Sequence, residues 1–284
     1  MNKITELYRE YQDVSTIEEV ARIFENSASI QVRQIKNRVL ASRDFLHELW
    51  SMYVQLRLDS GGDLDIPVNV PTNDKTAVIL ISSDESLGGT IDERLIEEAI
   101  SVMNPGRADY FVIGKKGARI MKAQGIEPTA AFKLPDITKP VNVIPIIYKT
   151  QEYKSSVVYF EQFINIDTQQ IQVFELISGI KRVGQMESSR RDASLIFTSD
   201  YIFEPSLKKV ISYLESMMRA TVLTELILES RLAQLANRFN TMNQAGANAD
   251  KIKNQLYIEY KRARRQKEYS EMQIFHQKNL GIMK

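Results

Sequence analysis

Leu207-Lys208-Lys209-Val210-Ile211-Ser212-Tyr213-Leu214-Glu215-Ser216-Met217-Met218 is the stretch that decides the fold. Apolar residues recur at steps of four and three, at Leu207, Ile211, Leu214 and Met218, and again at Leu228, Leu232, Leu235, Phe239 and Met242. That period draws one narrow apolar stripe along a helix. Pro205 is the last proline in the chain, so no later residue forbids a helix running toward Lys284. Unbroken, such a helix would be roughly 120 Å long, at about 1.5 Å per residue. A globular domain is shorter, so most of it is expected to project from the body. A stripe this narrow asks for a second helix, as in a coiled coil.

The other end of the chain offers that partner. Residues 1–60 contain neither glycine nor proline. Their stripe runs Ile17, Ala21, Phe24, Ala28, Val32, Ile35, Val39, Ser42, Leu46, Leu49, Tyr53, Leu56. Two long helices at opposite ends, with a compact segment between them, predict a shaft made by the two termini and a head inserted in the middle. The same stripes also fit the core of an ordinary helical bundle, and that alternative stays open at this level. The expected division is a helix over 1–58, an α/β segment over 59–204 and a helix over 205–284. The fold class is then α+β, a long antiparallel coiled coil carrying an inserted Rossmann-like domain.

Within the middle segment, Asp59-Ser60-Gly61-Gly62-Asp63 reads as a turn, and Pro67 and Pro71 as an extended linker. Ala77 to Ser82 is a short run of branched apolar residues, predicting a strand buried on both faces of a parallel sheet. A loop from Ser83 to Gly89 and an amphipathic helix from Ile91 to Met103 follow, stopped by Asn104-Pro105-Gly106. Asp109 to Gly114 reads as a second strand, and Lys115-Lys116-Gly117-Ala118 as the start of a helix ending near Gly125. The alternation of strand, loop and helix predicts an α/β sandwich. Pro128, Pro135, Pro140 and Pro145 break up residues 126–154, where Val141 to Tyr148 fits a strand or a crossover helix. Ser156 to Ile166 and Gln170 to Ile177 alternate as a hairpin would, and Ala193 to Thr198 reads as a last strand. Gly246 disturbs the terminal stripe, as a slip of register or as a break between two helices.

Composition removes several classes of function. Lysine and arginine number 37 against 36 acidic residues, so no overall field favours nucleic acid or an acidic membrane surface. Without cysteine there is neither a disulfide nor a thiolate metal site, and the two histidines, His47 and His276, stand far apart in sequence. Met1 to Asp13 is too charged for a signal peptide, and no apolar run approaches the ~18 residues that span a bilayer. The expectation is a soluble, cytoplasmic chain, or one attached to a membrane-bound assembly.

Candidate catalytic groups are few. Gly88-Gly89 follows a strand but lacks the three spaced glycines of a dinucleotide loop and the Gly-Lys-Ser/Thr of an ATP loop. Gly114-Lys115-Lys116-Gly117 fails the same test, and its glycines suit a tight strand-to-helix connection. Ser83, Asp84 and Glu85 have no histidine nearby in sequence to serve as base. The basic run Lys261, Arg262, Arg264, Arg265, Lys267 suits a solvated helix face or contact with an acidic protein surface, which Arg pairs bidentately.

Several motifs, in order, resemble the γ subunit of rotary F-type ATP synthases. Glu229, Ala236, Thr241 and Asn243 fall where that family has Glu…Ala…Ala-Thr-x-Asn, and Tyr260 to Arg265 resembles its Tyr-Asn-Lys/Arg-x-Arg-Gln. Ser83 to Gly89 is similar to Thr-Asp-Arg-Gly-Leu-Cys-Gly-Gly with one residue deleted, Ile113 to Gly117 to a second family stretch, and Phe203-Glu204-Pro205 to Tyr-Glu-Pro. Departures are clear too. Ile17-Glu18-Glu19-Val20-Ala21 stands for Ile-Thr-Lys-Ala-Met, Leu232-Ala233-Gln234 for Ala-Arg-Met, and Arg264-Arg265 for Arg-Gln. They imply a divergent partner ring, and would suit an F-type-like paralogue driving something other than proton transport, a motility machine included.

The resemblance implies a non-catalytic rotor in the bore of a ring of α and β subunits. ATP, ADP and Mg would sit on those subunits, and no cofactor or metal on this chain. Implied ring contacts are Ile17, Glu18, Val20, Ala21, Phe24, Arg262, Arg264, Arg265 and Tyr269. The segment Ile17 to Phe24 would share one end of the shaft with Tyr269 to Lys284. The head would act as a foot for an ε-like or other subunit. No nucleic acid is implied, and a membrane only through the complex, at the cytoplasmic side of the plasma membrane. Readings from other classes are a Rossmann-like nucleotide-binding enzyme with coiled-coil arms, and a passive coiled-coil scaffold.

Overall fold

The computed structural model describes residues 3–59, 73–84, 90–103, 106–136, 141–176 and 202–281. The elements are α1 (Lys3–Asp59), β1 (Asn73–Ile81), α2 (Ile91–Val102), β2 (Ala108–Ile113), α3 (Lys115–Ala123), β3 (Ala130–Phe132), α4 (Ile144–Thr150), β4 (Tyr153–Phe163), β5 (Gln169–Glu175) and α5 (Leu207–Gly281). The chain is α+β. The expected turn after Asp59, the linker prolines, Gly88-Gly89 and the strand Ala193 to Thr198 lie outside the described residues.

Both terminal helices are single. α5 passes through Gly246 without a break, so a slip of register, and not a pair of helices, accounts for the disturbed stripe. Contacts divide the chain into two units, Met1–Ser29 with Arg238–Lys284, and Ile30–Asn237.

The larger unit is built on one five-stranded sheet in the order β3-β2-β1-β4-β5. β1 pairs parallel with β2 and β4, β2 pairs parallel with β3, and β5 is antiparallel to β4. Ala77 to Ile81 are all fully buried, as the continuous branched run requires. Their side chains alternate between two cores. Ala77, Ile79 and Ile81 join Phe111, Ile113, Val158 and Phe160 against Trp50, Tyr53, Leu223 and Ile227. Val78 and Leu80 join Tyr110, Val112 and Tyr159 against Leu95, Ile96 and Ala99 of α2 and Met121 of α3.

Two local readings are settled by the structure. Val141 to Tyr148 is not a strand; α4 takes its second half, with Pro145 in the first turn, where a missing N–H leaves no bond unmade. β4 and β5 form the expected hairpin. Its turn is held by the Asn165 side-chain oxygen, which accepts the backbone N–H groups of Asp167 at 3.0 Å and Thr168 at 2.8 Å.

The stripe on α5 is not narrow in this unit. Val222, Leu223, Leu226, Ile227, Leu228, Leu232, Ala233, Leu235 and Ala236 are all buried, covering most of the circumference. The sheet core occupies one side of the helix where the sequence reading expected solvent. Each large side chain so buried contributes about 1.5–3 kcal/mol. Helix propensities differ by only a few tenths, so packing, not propensity, fixes α5 here.

Candidate partner interface

The smaller unit is held by a ladder of contacts between the start of α1 and the end of α5. Tyr8 faces Tyr260 with ring centres 5.4 Å apart, and Tyr11 faces Tyr257 at 5.7 Å. Glu18 is paired with Lys253 and, at 2.7 Å, with Arg22 one turn along its own helix. A Cβ placed on Gly246 would lie 3.7 Å from Cβ of Ala21. Residue numbers rise on α1 as they fall on α5, so the two segments run in opposite senses. The Lys253 hydrogen bond, with charge from Lys253 and Arg22 added, holds the Glu18 carboxyl below the usual carboxylate range.

These contacts sort the residues expected to meet a partner. Glu18 and Ala21 are buried against α5, and Phe24 is half-buried, so all three are used largely within the chain. Ile17, assigned by its spacing to the buried stripe, is 56% exposed. It lies one position from Glu18, and it is Glu18 that turns inward. Val20 and Tyr269 are also exposed. The segment Ile17 to Phe24 lies beside residues 246–253 of α5, not beside Tyr269, which is 16 residues beyond Lys253 and so about 24 Å further along the helix. That corrects the expected pairing of the two ends.

Arg262 and Arg265 are exposed. Arg264 is exposed but engaged, donating from Nε to Glu268 at 2.9 Å. Lys261 stands over the Tyr257 ring with Nζ 4.4 Å from its centre.

Exposed apolar residues form two runs, of which the sequence reading named only Ile17, Val20 and Tyr269. Ile17, Val20 and Ile23 recur every third residue on α1, and Tyr269, Met272 and Phe275 do the same on α5. Residues three apart share a helix face, and apolar faces left open in a folded chain mark contact surfaces. Ile23, Met272 and Phe275 were missed because they lie off the stripe. The available signal was a second apolar period out of phase with the first.

In the larger unit, β1 and β2 end beside the start of α3. Gly114 has a φ of +108°, and a Cβ on it would lie 2.2 Å from the Ser82 carbonyl oxygen; one on Gly117 would lie 2.3 Å from Ser82 Oγ. Both glycines therefore let α3 start directly against the end of β1. The amides at this helix start are spent within the chain. Lys115 N–H is donated to Asp84 Oδ1 at 2.9 Å, Lys116 N–H to the Ser83 carbonyl at 3.0 Å, and Gly117 N–H to Ser82 Oγ at 3.0 Å. A phosphate would need those same donors.

Ser83, read as a conceivable nucleophile, donates its hydroxyl to Asp92 Oδ2 at 2.7 Å and its N–H to Asp92 Oδ1 at 2.8 Å. The hydroxyl faces a carboxylate, in a cluster without histidine. Asp92 in turn meets Lys116 Nζ at 3.2 Å, and Glu93 meets it at 3.1 Å. Burial alone would lower the Lys116 pKa; Asp92 and then Glu93 outweigh it, and the net shift is upward. Glu85 lies outside the described residues. Among the described residues no group of three or more His, Asp or Glu side chains is placed to hold a metal ion. No described helix is long and apolar enough to cross a membrane.

A family model described as ATP synthase matches residues 3–272. The chain is 25% identical over 289 residues to the ATP synthase gamma chain of Chloroherpeton thalassium, with 93% of each chain covered. It is 22% identical to that of Pelotomaculum thermopropionicum, again with 93% of each covered. Among solved structures, the rotor of the Euglena gracilis mitochondrial ATP synthase superposes with a TM-score of 0.62 at 13% identity, covering 93% of this chain and 98% of that one. The central stalk of the Tetrahymena thermophila mitochondrial enzyme gives 0.57 at 15% identity, covering 80% and 99%.

Proposed function

The chain belongs to the ATP synthase family, and from that membership we propose that it is the central rotor shaft, the γ-like subunit, of an F-type or F-type-like ATPase. It couples ATP turnover in a ring of α and β subunits to rotation. The observation that carries this is the match of 93% of the chain to gamma chains of almost the same length. The opposite sense of the helix ends in the smaller unit supports reading them as an antiparallel coiled coil. The order β3-β2-β1-β4-β5, with four parallel strands, supports a Rossmann-like reading of the sheet.

The physical mechanism is differential contact. A two-helix shaft is not three-fold symmetric, so each ring subunit meets a different set of side chains. Each set favours one open or closed state of its subunit, and turnover shifts which set is met. The outward apolar runs Ile17-Val20-Ile23 and Tyr269-Met272-Phe275 are the surfaces we assign to the ring, with Arg262 and Arg265 facing its acidic loops.

On this reading the chain itself is not an enzyme and holds no nucleotide, metal or cofactor. The engagement of the α3 amides by Ser82, Ser83 and Asp84 supports only the part of that reading that concerns a phosphate at this helix start. Its further partners are an ε-like or other foot-binding subunit, with the membrane reached only through the complex. The test is to mix purified chain with α and β subunits from the same source. The reading expects a stable assembly whose ATP hydrolysis changes when this chain is present, and no ATP binding by the chain alone. ATP turnover by the isolated chain would favour the enzyme reading instead.

A further inference from the structure

At the carboxyl end of β4, Glu161 is fully buried, and among the described residues no hydrogen-bond donor reaches either of its carboxyl oxygens. Its position in the strand, two residues on from Tyr159, puts its side chain on the sheet face covered by α2 and α3. Among the described residues the charged groups there are Asp92 and Glu93 at the start of α2 and Lys116 at the start of α3. From α5 the neighbouring group is the neutral Ser230 hydroxyl, 3.5 Å from the Glu161 backbone nitrogen, itself hydrogen-bonded to the neutral Gln234 side chain.

Charge counting decides the state of Glu161. Lys116 supplies one positive charge, and it is already shared between Asp92 and Glu93. Among the described residues an ionised Glu161 would add a third carboxylate against one cation, with its side chain out of reach of solvent. Burying an unpaired carboxylate is among the costliest arrangements a fold can hold, and the usual escape is to keep the proton. A carboxylic acid also brings its own donor, and Asp92 is the acceptor beside it.

We propose that Glu161 is a buried proton-binding site: it stays protonated at neutral pH, shares that proton with Asp92, and thereby seats the start of α2 on the end of β4. Burial, then the nearby Asp92 charge, raise its pKa well above the ordinary glutamate value of 4.5, with Lys116 opposing. The folded chain keeps a proton that the unfolded chain releases above about pH 4.5, so stability falls as pH rises from there to the raised folded value, and is level beyond it. The inference does not depend on the rotor reading.

The test uses the full chain and its single tryptophan, Trp50, which is buried in the core of the larger unit. Urea unfolding is followed by Trp50 fluorescence for wild type and Glu161→Gln across pH 5 to 9. The unfolding constant of wild type should gain about tenfold per pH unit on that of Glu161→Gln within the window. Carbon-13 NMR of glutamate-labelled wild type, which needs no variant, should find one carboxyl still protonated at pH 7. Equal pH slopes for the two proteins would overturn the proposal. So would an ionised Glu161 at pH 7 with stability set by added sodium or magnesium, which would make the site one for a metal cation.

Discussion

Glu18 of α1 and Lys253 of α5, 235 positions apart in sequence, form an ion pair that joins the two segments of the smaller unit. Asp250, 3.4 Å from the same ammonium, and Arg22, 2.7 Å from the same carboxylate, extend it to four charges. The aromatic pairs Tyr8–Tyr260 and Tyr11–Tyr257 join the same two segments.

Reversing one side of that pair should loosen the unit, and reversing both should repair it in part. Glu18→Lys is expected to lower the melting temperature and speed amide exchange in α1 before Ser29; Glu18→Lys with Lys253→Glu should recover part of both, since Arg22 and Asp250 then face like charges. The pH sign is that of a carboxylate with a lowered pKa. Its contribution is present above the ordinary value of 4.5 and is lost as pH falls through the lowered folded value. Additive single effects in the double variant would remove the pair as a link between the two segments.

Gly246→Ala should stabilise the chain by about 0.5–1 kcal/mol, the usual gain from removing a mid-helix glycine. The new methyl would meet Ala21 at an ordinary contact distance of 3.7 Å. Urea denaturation monitored by circular dichroism reads this directly. A loss of stability would mean that the facing helices cannot accept the methyl.

Gly114→Ala should do the reverse. A left-handed φ of +108° costs about 1–3 kcal/mol for a residue with a Cβ, and the Cβ would fall 2.2 Å from a backbone oxygen that cannot move aside cheaply. The expected loss is above about 3 kcal/mol, or failure to accumulate as folded protein. A folded Gly114→Ala chain of normal stability would contradict the close approach of α3 to β1.

Paired reversal, Arg262→Glu with Arg265→Glu, should lower the ATPase rate of the reconstituted complex while leaving the fold of the isolated chain unchanged. Arg264→Glu is expected to cost less in partner contact, because that guanidinium is engaged by Glu268 on its own helix. An unchanged rate in the double variant would remove this basic run from the ring contact.

Much of this was legible in spacing alone. Steps of three and four located both terminal helices, because a buried stripe must repeat with the helix. The branched run at Ala77 located the central strand, because a strand covered on both faces has no polar alternation to display. What escaped was what depends on neighbours distant in sequence. β3 is three residues long, too short for any period to be read. α4 hides in a run of branched residues that also suits a strand. The breadth of the buried face on α5 is set by the sheet, so Ala233 and Ala236 gave no sign of being covered. Glu161 occupies a polar step in an alternating strand and reads as solvent-facing; α2 and α3 cover it. Of the residues proposed to meet a partner, Ile17, Val20, Arg262, Arg265 and Tyr269 are exposed, while Glu18 and Ala21 are turned inward.

The measurement closest to the central proposal is direct observation of rotation. A probe attached to the larger unit of this chain, in a complex with surface-anchored α and β subunits, should turn continuously in one direction when ATP is added and stop when ATP is removed. A complex that assembles and hydrolyses ATP while the probe shows no directed rotation would contradict the rotor account.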